Sequence, residues 1–299
     1  MINVQFPDPG SQSPAPGGPA PKAPTAALSV VNVLINDALD GRHACYLAYV
    51  VATRTLVLVD DAGDAGGPYA GSVTLGSAAT IQNSQCAVNL ISALDNGKYL
   101  ALTLNITMKP GFGGNRIHYI ASGDTAGNNT GWLAAGLWRV PPTPSGQIVV
   151  TGANPPRGPI AAGTPQSFAF TFTDSKGTAN FGVIDVLANY NFIDGRGACY
   201  LAYASASNAL MLVDDAGDGG GPFAGSMVLN GGAGTIQNSQ CSVSGAGSSA
   251  VASGNTLTLT LNITFKKGFT GDHAIWAAGR DRSDGNNTGW QAIATASVQ

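Results

Sequence analysis

Glutamate does not occur in this chain of 299 residues; all 17 acidic side chains are aspartate. Charge of either sign is scarce. Charged residues make up 10% of the sequence, against about 25% in an average soluble domain. The formal net charge is −3, which gives no basic field to attract nucleic acid or an anionic lipid surface. Gly, Ser, Thr, Asn and Ala supply the polar surface instead, as suits a secreted all-β protein better than a helical cytosolic one. No apolar run reaches the ~18 residues of a membrane span. There is no Cys-x-x-Cys pair and no histidine at ligand spacing, so zinc is not expected. Gly-x-Ser-x-Gly is missing too. The opening stretch MINVQFPDPGSQS lacks the basic and apolar regions of a signal peptide. The expectation is a signal already removed, or a piece of a longer chain.

What the sequence does have is one stretch written twice. Asp40–Leu75 and Asp194–Leu229 align without a gap and agree at 25 of 36 positions. Both copies run on into a second shared block, Thr80-Ile-Gln-Asn-Ser-Gln-Cys86 and Thr235-Ile-Gln-Asn-Ser-Gln-Cys241. Agreement over that length marks a duplicated folding unit, and 299 residues also suit about two domains. Each copy holds two of the four cysteines: Cys45 and Cys86, Cys199 and Cys241. Three pairings are possible. Self-contained units favour Cys45–Cys86 and Cys199–Cys241; the alternative is four buried thiols.

Strand patterns recur throughout, with Gly, Asn or Asp turns between them, and no segment carries an amphipathic helix. Leu100, Leu102, Leu104 and Ile106 alternate with small or polar residues, and Leu257, Leu259, Leu261 and Ile263 repeat the pattern. That is the period of a half-buried strand. The expected architecture is all-β: two tandem immunoglobulin-like antiparallel β-sandwich domains of about eight strands, one disulfide each. Module one spans 1–140 with a proline-rich insert at 7–25. A stiff linker, Pro-Pro-Thr-Pro-Ser-Gly, fills 141–146, and module two spans 147–299. Tyr46, Leu47, Leu56, Leu58, Leu102, Leu104 and Ile106, with Tyr200, Leu201, Leu210, Leu212, Leu259, Leu261 and Ile263, are the expected core. The strand Ile2–Phe6 is the counterpart of Phe168–Phe172, and Gln147–Thr151 has no counterpart in module one.

The succession Asp-Gly-Arg-x-Ala-Cys-Tyr-Leu-Ala-Tyr, Leu-x-Leu-Val-Asp-Asp-Ala-Gly, Asn-Ser-Gln-Cys and Asn-Thr-Gly-Trp resembles a repeat of large secreted bacterial surface proteins. Those repeats resemble immunoglobulin-like or fibronectin-III-like modules strung in tandem. The resemblance covers nearly all of 147–299 and most of 28–140. It implies an extracellular or cell-surface location and a spacer, adhesive or enzyme-appended role. Module one departs from the pattern in its missing first strand and its insert.

Two shared loops are the candidate sites. Asp60, Asp61 and Asp64, with Asp214, Asp215 and Asp218, place carboxylates at i, i+1 and i+4 around a glycine. That spacing suits a hard cation such as Ca2+, and it equally suits a tight turn in which Asp accepts from backbone N–H groups. Asn128, Asn129 and Trp132, with Asn286, Asn287 and Trp290, can cradle a glycan against the indole, or anchor a hairpin. Catalysis has little to stand on. Gly197 stands opposite His43 and Ile275 opposite His118, whereas a duplicated active site would keep its base; His273 falls in a loosely aligned loop. The aspartates cluster in glycine-rich turns and not on strands facing a cleft. The leading expectation is therefore a non-enzymatic extracellular structural or adhesive protein, with a carbohydrate-binding or calcium-dependent binding module as the alternative. Because module one lacks a strand, Ile2–Phe6 either folds back at home or adds to a neighbour, the latter giving a homo-oligomer or filament.

Overall fold

The structure is a computed structural model that describes residues 2–7, 28–95, 99–141, 147–190 and 192–299. The insert expected over 7–25 lies outside the described residues beyond Pro7, as does the linker after Pro141. The chain divides into two compact units, Met1–Pro142 and Thr143–Gln299. No α-helix occurs among the described residues. Two single 3-10 turns, Pro110–Phe112 and Thr178–Asn180, are the only helical pieces there.

Unit one holds β1 (Ile2–Pro7), β2 (Leu28–Asn36), β3 (Cys45–Val50), β4 (Thr55–Val59) and β5 (Tyr69–Thr74). It continues with β6 (Ile81–Gln82), β7 (Cys86–Asp95), β8 (Tyr99–Met108), β9 (Gly114–Asp124) and β10 (Leu133–Val140). They form one sheet in the order β1-β8-β7-β6 and a larger one in the order β10-β9-β2-β3-β4-β5. Unit two begins with two additional strands, β11 (Ile148–Asn154) and β12 (Arg157–Ile160). The rest follow the order of unit one: β13 (Pro165–Asp174), β14 (Phe181–Asn189), β15 (Cys199–Ala204), β16 (Ala209–Val213) and β17 (Phe223–Val228), then β18 (Thr235–Gln237), β19 (Cys241–Ser253), β20 (Thr256–Phe265), β21 (Gly271–Asp281) and β22 (Gln291–Val298). Their sheets run β11-β13-β20-β19-β18 and β12-β22-β21-β14-β15-β16-β17.

Deleting β11 and β12 from the second pair of sheets leaves the order of the first. β11 pairs with the outer edge of β13, and β12 runs parallel to the outer edge of β22. β1 lies antiparallel on β8 of its own unit, Ile2 opposite Leu104 and Phe6 opposite Leu100. Phe168 and Phe172 stand opposite Leu261 and Leu257 in the same way, which is the equivalence expected from sequence. The described strands number ten and twelve, not about eight. β5 and β17 emerge from the glycine-rich run, and β12 from a stretch that reads as a turn.

Alternation makes the core. In β20 every second residue, Leu257, Leu259, Leu261, Ile263 and Phe265, is buried, and β8 does the same with Leu100, Leu102, Leu104 and Ile106. These pack against Leu201, Leu210 and Leu212 of the larger sheet in unit two, and against Leu47, Leu56 and Leu58 in unit one. Each unit is thus two sheets closed on one apolar cluster, sandwich-like. The bridges Cys45–Cys86 and Cys199–Cys241 each tie the larger sheet to the smaller one, and no cysteine is free. Tyr46 is buried, 7% exposed, and Tyr200 half-buried, but both lie apart from the central cluster. Each follows an inward cysteine by one residue, so the two-residue period turns it to the opposite face, and neither belongs to its unit's apolar cluster.

The repeated motifs turn out to be the stitching of this scaffold. Asn83 donates from Nδ2 to the carbonyls of Ala44 and Val59 at 2.8 and 3.3 Å, while its Oδ1 accepts from the N–H groups of Gln85 and Cys86. Asn238 makes the same four bonds to Ala198, Val213, Gln240 and Cys241. Both amides are buried, and every donor and acceptor they carry is used. Asp-Gly-Arg and Asp-Asp-Ala-Gly meet backbone to backbone: a Cβ on Gly195 would lie 2.3 Å from the carbonyl oxygen of Gly217, whose own φ is +80°.

Candidate functional site

The acidic loops bond within their own turns. Asp60 accepts from Ala62 N at 3.0 Å and Asp64 from Gly66 N at 2.8 Å, while Asp61 turns away to bond Ser84 through Oγ at 2.6 Å. Asp214, Asp218 and Asp215 do the same with Ala216, Gly220 and Ser239. Among the described residues no three His, Cys, Asp or Glu side chains come together as a metal-holding group. His43 adopts a left-handed conformation, φ 50°, at the place where unit two has Gly197 at φ 59°.

The asparagine loops are organised by an aspartate at the end of the preceding strand. Asp124 accepts from Asn128 at both N and Nδ2, and Asp281 accepts from Asn286 Nδ2, Ser283 and Gly285. These donors hold both carboxyls below their ordinary value, the Asn128 side chain leading for Asp124; for Asp281 the Asn286 side chain leads and Ser283 follows, bringing it to about 2. Asn129 and Asn287 each accept from the N–H two residues on, at Gly131 and Gly289. The hairpin is therefore held by its own bonds, and it positions a tryptophan. The Trp132 ring meets Tyr46 edge to face at 5.6 Å, and Trp290 meets Tyr200 at 5.6 Å in the same geometry.

Beside each aromatic pair lies a cleft on the outer face of the larger sheet, and the two clefts overlap at the tyrosine. In unit one it measures about 240 Å³ and is lined by Val30, Asn32, Tyr46, Ala121, Ser122, Gly123, Asn129, Gly131 and Trp132. In unit two it measures about 390 Å³ and is lined by Val183, Asp185, Tyr200, Ala202, Met211, Gly219, Gly220, Phe223 and Arg280. The strand registers show that the two share four lining positions: Val30 matches Val183, Asn32 matches Asp185, Tyr46 matches Tyr200 and Gly123 matches Arg280. Small neighbours keep the floor open. Asp185 stands between Ala202 on β15 and Ala278 on β21, and Asn32 between Ala48 and Ala121. No family model and no curated protein matches this chain.

The floor of the second cleft is charged. Asp185 is buried, 7% exposed, with Oδ2 at 3.5 Å from Nη1 of Arg280. Arg280 is held from the other side by Asp284, Nε to Oδ1 at 2.9 Å. Burial pushes the Asp185 carboxyl up to about 6 against the opposing pull of Arg280 and of a hydrogen bond with Tyr200. Burial and the nearby carboxylate raise the Tyr200 hydroxyl to about 12. Gly219 makes room for that hydroxyl, since a Cβ there would lie 2.7 Å from it; unit one has Ala65 at this position.

Of the expected glycan-loop residues, Asn129 and Trp132 reach the first cleft; Trp290 abuts the Tyr200 wall of the second, while Asn128 and Asn286 stay inside their hairpins. Asp185 overturns the expectation that no aspartate lies on a strand facing a cleft. Sequence reasoning passed over it, although a lone acid in Ile184-Asp-Val-Leu-Ala188, opposite Asn32 in the repeat, is a visible signal. His273 is not in a loop. It lies on β21 at the place of Arg116, stacked at 3.9 Å on Phe269, as Arg116 lies over Phe112. Burial lowers both His118 and His273 to about 4, so both are neutral spacers at pH 7.

Proposed function

We propose that this chain is a non-enzymatic adhesive protein of the extracellular space, built from two tandem immunoglobulin-like modules. One observation carries the reading: in both units a cleft opens beside a tyrosine met edge to face by a tryptophan, Tyr46–Trp132 and Tyr200–Trp290, while the polar groups lining the two clefts differ. A duplicated catalytic centre needs its acid and base in both copies. A duplicated recognition surface needs only its shape, and its contacts are free to diverge. The inter-sheet bridge in each module supports an oxidising compartment and is the bridge typical of an immunoglobulin-like sandwich. The use of the repeated asparagines and aspartates in bonds within the scaffold supports a structural unit more than a reactive one.

The test is retention under flow. Beads coated with the full chain are passed over surfaces carrying polysaccharides or matrix proteins, and the same preparation is assayed for turnover on a broad panel of ester, peptide and glycoside substrates. Retention on at least one surface without turnover is expected. Turnover that tracks the purified chain, or no retention on any surface, removes the adhesive reading.

A further inference from the structure

The two clefts overlap in the fold, and the residues at the equivalent positions differ in a concerted way. Where unit one has Asn32, Gly123 and Ala65, unit two has Asp185, Arg280 and Gly219. The three differences meet around the Tyr200 hydroxyl. Asp185 and Arg280 are an ion pair at 3.5 Å, and Gly219 leaves the space into which the Tyr200 hydroxyl reaches. The scaffold does not demand this set, because unit one builds the same sheet without it. An acid on the floor of a cleft, 7% exposed, is costly to place there unless something uses it.

We propose that the cleft of unit two, and not its counterpart in unit one, binds a neutral hydroxylated ring of hexopyranose type through Asp185, Arg280 and Tyr200. Charge selects this class. The floor carries both signs, Asp185 beside Arg280, with Asp284 holding Arg280 from the far side, so a ligand of a single charge meets its own sign as well as the opposite one. An apolar ligand would strip water from both groups and return no hydrogen bond. Neighbouring hydroxyls satisfy both at once, donating to the carboxylate and accepting from the guanidinium. The Phe223 ring, 40% exposed on the rim, offers a face for the C–H side of the ring. A volume of about 390 Å³ sits near the small end of ligand sites, roughly 300–1,000 Å³, as one or two sugar rings require. This reading deepens the adhesive function by naming a ligand chemistry.

Saturation-transfer NMR on the full chain tests it, with D-glucose, D-galactose and D-mannose as neutral probes and D-glucuronate and D-glucosamine as charged ones. At least one neutral hexose is expected to bind, and Asp185→Asn and Arg280→Gly each to raise its Kd about tenfold or more, the loss of one hydrogen bond to a charged group; Gly219→Ala should raise it too, by displacing the Tyr200 hydroxyl. Each variant carries the residue of unit one, and circular dichroism checks that each is folded. Trp132→Ala, in the other cleft, should leave Kd unchanged. No signal from any neutral hexose, tighter binding of a charged probe, or a loss that follows Trp132→Ala overturns the proposal. Bead retention with no hexose binding would sink this site and spare the adhesive reading; hexose binding with no retention would do the reverse.

Discussion

Asp185→Asn should make the protein more stable at neutral pH. The carboxyl's ordinary value is 3.8 and burial raises it to about 6 in the folded state. Between those values the folded state holds a proton that the unfolded state has released. Stability then falls with rising pH by about 1.4 kcal/mol per unit, or about 3 kcal/mol across the window. Above pH 6 the whole cost remains. Arg280 and Tyr200 face the carboxyl, and their attraction is already included in the raised value. His118 and His273 slope the other way, because burial lowers both to about 4 and stability due to them rises between pH 4 and 6.5. That background is common to both proteins and cancels in the difference. Urea midpoints of the parent and of Asp185→Asn, taken from pH 4 to 7.5, should therefore start close together and diverge upward in favour of the variant, by up to about 3 kcal/mol at pH 7. Parallel profiles, or a variant less stable at pH 7, would refute the account of a carboxylate held at a cost.

Leu104 and Leu261 are fully buried, and truncation of either to alanine should cost about 2–5 kcal/mol by leaving a cavity, read as a lower urea midpoint. Gly195→Ala should be at least as damaging, since its Cβ would strike the backbone of Gly217 at 2.3 Å and backbone cannot swing aside; the loss of a soluble folded product, or a large drop in melting temperature, is the expected result. EDTA should leave the melting temperature where it is, because the acidic-loop carboxylates are already bonded within the protein; a drop of several degrees would show a bound cation.

The duplication, the long alternating strands and the cysteine pairing were legible because each has a signal that survives in one dimension: identity, period two, and one pair per repeat. β5 and β17 were not, since their residues are mostly exposed and edge strands need no alternation to stay in a sheet. β12 hid behind Asn154-Pro-Pro, a sequence that reads as a turn, because parallel pairing with β22 depends on a strand more than a hundred residues away. Tyr46 and Tyr200 read as core from their bulk, but the inward cysteine beside each fixes them on the other face. The second cleft escaped notice because it is written in the differences between the repeats, and similarity directs attention away from them.

Each disulfide also decides how much of its unit answers to a pull. Cys45 and Cys86 are 41 residues apart in sequence, Cys199 and Cys241 are 42 apart. Tension entering along the backbone passes through the sulfur atoms and skips β3 to β6, or β15 to β18. At about 3.4 Å per residue the hidden length comes to roughly 140 Å in each unit. A stretched chain would give up its folded units in short steps, and a reducing solution would lengthen each step by that amount. A tether made this way stays short after it yields, and the part of the larger sheet that walls the second cleft with Met211 and Phe223 stays tied in a closed loop while the rest of the unit unravels.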